Sequence, residues 1–237
     1  MTPKRPPVLA HERFVADRQS FAGLDLAARF ERIVKTNLWG AATSVSGLGS
    51  EDRATAAIRE ALPALLRRLG ARALLDAPCG DAGWIAACKL DVDYIGIDIV
   101  PALIDANIRR AERGEFAGRF VLADITRDAL PPADLILCRD CLVHLSFANI
   151  GRALARFRAS GARFLLTTTF PDWQDNRDCE DGDWRALNLQ TAPFGWPAPL
   201  ELINERCDEG GGGWQDKSLG LWRFADLPDD GETTKAA

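Results

Sequence analysis

Acids that close apolar runs, with a glycine-bearing loop between the first two, are the groups in this chain best suited to hold a ligand. Leu74-Leu75-Asp76 runs into Ala77-Pro78-Cys79-Gly80-Asp81-Ala82-Gly83-Trp84, and Tyr94-Ile95-Gly96-Ile97 ends on Asp98 and Ile99. Glycine at such a turn lets backbone approach a ligand with no Cβ in the way. An acid at the tip of the following strand is placed to accept hydrogen bonds from a ribose diol. A third apolar run, Arg119-Phe120-Val121-Leu122-Ala123, is followed by Asp124 and Ile125. Any one of these acids also reads as a turn or helix cap. Three in succession, each closing an apolar strand, favour a pocket for a nucleoside-bearing ligand at the carboxyl ends of parallel strands.

The loop discriminates between nucleoside ligands. A dinucleotide site reads G-x-G-x-x-G, with the diphosphate seated on a helix N-terminus. Here Pro78 and Cys79 stand where early glycines belong, and Asp76 and Asp81 bring negative charge to the loop. That charge opposes a diphosphate and suits a ligand with a ribose, an ammonium and a sulfonium. With this motif order the chain resembles the class I S-adenosylmethionine-dependent methyltransferases over roughly residues 70–170, and more loosely beyond. The resemblance implies S-adenosyl-L-methionine as cofactor, with Asp76, Pro78, Gly80, Gly83 and Trp84 in the first motif. It implies Asp98 at the ribose, Ile99 as a further cofactor-binding residue, Asp124 at the adenine amino group and the Ile125 amide at the ring.

Leu135-Ile136-Leu137-Cys138 reads as a fourth strand leading into Arg139-Asp140-Cys141-Leu142-Val143-His144-Leu145. This segment resembles the family's fourth motif, which lies beneath the sulfonium and faces the acceptor. Phe30-Glu31-Arg32, Asn37-Leu38-Trp39-Gly40, Ser46-Gly47, Asn188-Leu189-Gln190 and Asp216-Lys217-Ser218-Leu219-Gly220-Leu221-Trp222 resemble an uncharacterised bacterial group of small-molecule or saccharide methyltransferases. That likeness places Trp39 and Ser46 beside the cofactor.

Methyl transfer from a sulfonium is an in-line displacement, so the protein chiefly aligns the nucleophile and excludes water. A hydroxyl or amine acceptor also sheds a proton, for which a nearby base helps. His144 and Asp140 are the candidates; His11, the other of two histidines, lies in the N-terminal arm. His144 equally suits a helix-start residue bonded to backbone. Arg139 suits a carboxylate of the cofactor or acceptor, or an internal pair with Asp140 or another acid. After the fifth strand stand Thr167-Thr168-Thr169 rather than acids and an amide, so no catalytic metal is expected. Cys138 and Cys141 form a C-x-x-C pair without a partner pair, which disfavours zinc and leaves Cys141 as a pocket residue.

The elements that must position these groups follow from pattern. The chain has 237 residues, 47% hydrophobic, with net charge −5. That is room for one large α/β domain, with a surface unsuited to general nucleic-acid binding. No apolar run is long enough to span a bilayer, and no signal peptide is seen at the N-terminus, so a cytoplasmic protein without a membrane partner is expected. From Arg72 strands and helices alternate, which predicts parallel βαβ units. Strands are expected at 72–76, 94–98, 119–123, 134–138 and 162–168, with helices at about 83–89, 101–113 and 146–159. Residues 200–207 and 217–224 flank four glycines and read as a closing antiparallel hairpin. The expected fold is thus a Rossmann-like methyltransferase sheet.

Residues 1–70 read as a helical extension or cap and 71–237 as the cofactor-binding domain. The extension has an amphipathic helix over 24–38, a flexible turn at 44–50, and a helix from a Ser50 cap to Leu69 that Pro63 should kink or break. The aromatic segment 170–199 reads as an ordered lid or acceptor wall, or as an Ω-loop covering the sheet edge. The expected activity is methyl transfer to a hydroxyl or amine of a small molecule or saccharide. A protein or RNA methyltransferase, or a nicotinamide-dependent oxidoreductase or epimerase, remains as the alternative. The last of these lacks both the glycine triplet and a Tyr-x-x-x-Lys pair, since Tyr94 is the sole tyrosine.

Overall fold

A computed structural model describes residues 5–228; the outermost residues of both expected segments lie outside that range. Seven strands form one sheet: β1 (Ala73–Asp76), β2 (Asp93–Asp98), β3 (Arg119–Leu122), β4 (Leu135–Cys138), β5 (Phe164–Thr169), β6 (Glu201–Asn204) and β7 (Ser218–Arg223). Their order is β3-β2-β1-β4-β5-β7-β6. Strands β1 to β5 pair in parallel, and β7 runs antiparallel to both β5 and β6. The chain works outward from β1 to β3 and then returns to β4. The order therefore reverses between β1 and β4, where ligand crevices open at strand carboxyl ends in α/β sheets. The acids Asp76 and Asp98 end their strands at this edge, and Asp124 follows β3 by two residues.

Both faces of the sheet are covered, which is why its central strands read as unbroken apolar runs rather than alternating ones. Leu75, Ile97, Ile136 and Leu165 bury on one face against α6 (Phe147–Ala159), through Ile150, Ala153 and Phe157. Leu74, Leu135, Leu137 and Leu166 bury on the other, against α3 (Asp52–Leu69). The expected break at Pro63 does not occur: α3 is one helix of 18 residues. Its stripe of Ile58, Leu62, Leu65 and Leu66 is at most 2% exposed. Packing of that stripe offsets the one backbone hydrogen bond a proline forfeits. Ser50 is not the cap either; Glu51 holds that position without a side-chain bond.

The remaining helices are α1 (Leu9–Asp17), α2 (Leu26–Thr36), α5 (Pro101–Glu112) and two single turns, α4 (Gly83–Ala86) and α7 (Glu209–Gly212). Pro101 starts α5, where its missing N–H costs nothing. Asp25 caps α2 by accepting from the Ala28 amide at 2.9 Å. Phe14 of α1 and Ile33 of α2 share one apolar cluster with Phe21 and Leu38, and α2 lies over the carboxyl edge of the sheet. Among the described residues no helix is long and apolar enough to cross a membrane.

Candidate active site

Asp76, Asp98, Asp124 and the Arg139–Cys141 turn converge on one cleft at the reversal point, enclosing about 910 Å³ with its open mouth. Pro78, Gly80, Trp84, Ile99, Ile125, Trp39, Ser46, Cys141 and His144 line the same cleft. Gly83 does not. It opens α4, and its amide is taken by Asp81 Oδ1 at 3.0 Å. Helix α2 closes the cleft with Leu26, Phe30 and Val34, one face at four-residue spacing.

The glycine loop is tied down by its own surroundings. The Cys79 amide donates to the Ile97 carbonyl at 2.8 Å, and that of Gly80 to Asp98 Oδ2 at 3.0 Å. Asp81 donates to Ser46 Oγ and Ala82 to the Cys79 carbonyl, both at 3.0 Å. Every amide from Cys79 to Gly83 thus has a partner, and none remains to cradle a diphosphate. Asp81 also accepts from Ser44 Oγ at 2.6 Å and from the Val45 amide at 3.2 Å. These bonds tie the 44–46 stretch to the glycine loop. Gly80 has a left-handed φ of 56°, and a Cβ there would clash with Ser46 Oγ. The close approach that demands glycine is therefore to the protein's own Ser46 as well as to any ligand.

Burial acts on the strand-end acids. It pushes Asp76 up to about 7 against the lowering effect of the Tyr94 hydroxyl, which donates to Oδ2 at 2.7 Å. Burial likewise raises Asp98 to about 6, opposed by the amides of Val100 and Gly80. Buried carboxyls raised by desolvation gain most from a cationic ligand. Beside them, Asp124 Oδ1 accepts from the Thr126 amide at 2.8 Å, and the Ile125 amide has no partner among the described residues. A purine edge needs such a donor and acceptor side by side.

The fourth motif carries a buried ionic set. Arg139 grips Glu205 with two bonds, Nε to Oε1 at 2.6 Å and Nη2 to Oε2 at 3.1 Å. Lys217 Nζ lies 2.6 Å from Asp140 Oδ2 and 3.2 Å from Glu205 Oε2, and Arg139 Nη1 lies 3.4 Å from Asp140 Oδ2. Burial alone would raise the Asp140 carboxyl, but Lys217 and Arg139 overcome it and hold the group well below the usual carboxylate range. Asp140 is therefore a fixed anion with its carboxylate engaged by Lys217, and Arg139 has its charge committed inside the protein. Asp140 adopts a left-handed φ of 50°, which sets its carboxylate against Lys217. Gly49 packs on this pair; a Cβ there would come within 3.2 Å of Lys217 Nζ and closer still to Asp140.

His144 is both packed and reachable. Its Nδ1 is 2.7 Å from the Asp183 carbonyl, which can only accept, so Nδ1 carries the proton and Nε2 is left with a lone pair. The ring stacks on Trp39 at 4.6 Å. Burial pushes its pKa down to about 4, against the opposing pull of the Asp183 carbonyl and of Asp140, well below the ordinary imidazole value near ~6.5. Residues 170–199 hold this turn in place: the Gly182 amide donates to the His144 carbonyl at 2.8 Å, and Arg185 donates to the carbonyls of Leu142 and Leu145.

Glu205, Lys217 and Gly49 escaped the sequence reading as site residues. Lys217 sat inside a recognised segment without a role, and nothing marks Glu205 except its place at the end of a strand. Among the described residues there is no cluster of His, Cys, Asp and Glu able to hold a metal.

No protein-family model matches the chain, and no curated protein matches it. Solved structures do. The methyltransferase domain of bacterial CtHen1 superposes with a TM-score of 0.51 at 11% identity, over 71% of this chain and 98% of that one. The N-methyltransferase NodS from Bradyrhizobium japonicum, solved with S-adenosyl-L-homocysteine, gives 0.45 at 16% identity over 62% and 74%. The PH0226 protein from Pyrococcus horikoshii gives 0.42 at 17% identity over 50% of this chain, and the match spans only 59% of that protein. The likeness to the CtHen1 domain is one of fold: this chain has the Rossmann-like architecture of a methyltransferase domain.

Proposed function

We propose that the protein is an S-adenosyl-L-methionine-dependent methyltransferase acting on a hydroxyl or amine of a small molecule or saccharide. The observation that carries this reading is the chemistry of the cleft: two buried strand-end acids, an Ile125 amide beside Asp124 without a partner among the described residues, and a glycine loop with no amide to spare. That set fits a nucleoside bearing positive charge and offers nothing to a diphosphate, which disfavours the nicotinamide alternative. When bound, the sulfonium would supply an activated methyl group to the acceptor lone pair, with a neutral thioether as the leaving group.

The chain's own residues supply the rest. Asp98 would hold the ribose hydroxyls while Gly80 and Val100 steady its carboxylate. Asp76 would face the ammonium, and Leu26, Phe30 and Val34 of α2 would exclude water. His144 Nε2 would take the acceptor proton. Helices α1 and α2 act as a cap on the 71–237 domain in this reading. All six cysteines are free thiols, which supports a reducing, cytoplasmic setting. A thermal-shift panel of S-adenosylmethionine, S-adenosylhomocysteine and NAD tests the reading: the first two should stabilise the protein, and stabilisation by NAD alone would refute it.

A further inference from the structure

A second chamber of about 530 Å³, open mouth included, adjoins the cleft and shares Trp39, Ser46, Asp140 and His144 with it. Its far walls are Phe170, Trp184, Trp214, Glu209 and Lys217. Trp214 is 5% exposed and held in place by Trp184 and Phe170, at ring distances of 4.9 and 5.6 Å, and by the Arg5 guanidinium at 5.0 Å. Its Nε1 is buried without a hydrogen-bond partner among the described residues, and so is Nε1 of Trp39. An orphaned donor this deep is costly unless a ligand completes it.

Resting on the methyltransferase reading above, we propose that this chamber is the acceptor subsite and takes a neutral polyhydroxylated ring, presenting one hydroxyl to His144 Nε2. The inventory of free groups selects the class. Two indole N–H groups need acceptors, whereas His144 Nε2 and the Glu209 carboxyl, neither with a hydrogen-bond partner among the described residues, need donors. An ammonium only donates and a carboxylate only accepts, while a hydroxyl does both. Charge gives the same answer. Arg139 and Lys217 are matched by Asp140 and Glu205, which leaves no cation free to hold an anionic ligand, and the one unmatched wall carboxyl, Glu209, is served by hydroxyl donors. The flat walls of Trp39, Trp184 and Trp214 suit the C–H faces of such a ring. The hydroxyl proton passes to His144 Nε2 as the oxygen takes the methyl group.

The test is saturation-transfer NMR on protein loaded with S-adenosylhomocysteine. The polyol probes are methyl β-D-glucopyranoside, methyl α-D-mannopyranoside, methyl α-L-rhamnopyranoside and myo-inositol; benzylamine and benzoate are the ionic probes of similar size. At least one polyol should bind and neither ion should. Trp214→Phe, which keeps a ring and removes the N–H, should weaken the best polyol about tenfold and leave S-adenosylhomocysteine affinity unchanged. No polyol binding to loaded protein, binding of an ion instead, or indifference to Trp214→Phe would overturn the proposal. Failure of S-adenosylhomocysteine itself to bind would instead remove the reading of the first cleft.

Discussion

Cofactor affinity should depend on pH in a way set by the two buried acids. Asp76 and Asp98 sit at about 7 and about 6 in the free protein because burial penalises their charged forms. A ligand carrying an ammonium binds the ionised forms, so binding expels protons and affinity must rise with pH through this window. If both carboxyls are fully ionised in the complex, the affinity constant gains about 30-fold from Asp76 and about 4-fold from Asp98 between roughly pH 5.5 and 8, on the order of 100-fold together. The curve should level off above Asp76's value. Calorimetry of S-adenosylhomocysteine across that range, repeated in buffers of different ionisation enthalpy, reads both the slope and the protons released. Asp76→Asn should remove the larger step and leave the shallower one of Asp98. A flat affinity profile with no proton release would refute the reasoning, because it would mean that neither acid meets the ligand in its ionised form.

Other consequences are independent of that slope. His144→Ala should lower turnover of an identified acceptor by about 10²–10³-fold with cofactor affinity nearly intact. With the imidazole depressed to about 4, the wild-type rate should show no histidine limb near neutrality; a rate that halves near ~6.5 would contradict the buried assignment. Lys217→Met leaves Asp140 and Glu205 facing Arg139 alone and should cost about 3–5 kcal/mol by denaturant unfolding. Adding Glu205→Gln, which restores charge balance, should cost less than the two single changes summed. Gly80→Val should abolish cofactor binding in a folded protein, since the side chain meets Ser46 and strains a left-handed turn. Partial recovery in a Ser46→Gly background, read by thermal shift with S-adenosylhomocysteine, would confirm the contact.

The sheet was legible because its strands are buried on both faces: runs such as Leu135-Ile136-Leu137-Cys138 need no partner to be recognised. The acids were legible because each closes such a run. What escaped was set by contacts distant in sequence. Glu205 meets Arg139 across 66 residues and Lys217 meets Asp140 across 77, and no local period encodes either pairing. Helix α2 showed from its pattern that one face is buried, but a pattern does not say that Leu26, Phe30 and Val34 bury themselves against a ligand cleft. Pro63 misled because local propensity counts the lost hydrogen bond and cannot see the tertiary packing that outweighs it. The lowered imidazole of His144 was invisible for the same reason, since burial is a property of the fold.

The central claim is that the cleft holds an adenosyl ligand through Asp98, and titration calorimetry of S-adenosylhomocysteine into wild type and Asp98→Ala tests it most directly. The account predicts one site per chain in the wild type, weakened by about 1.5–3 kcal/mol in the variant, the range for hydrogen bonds to a charged group. Equal affinity in the two proteins, or no binding to the wild type near neutral pH, would contradict it.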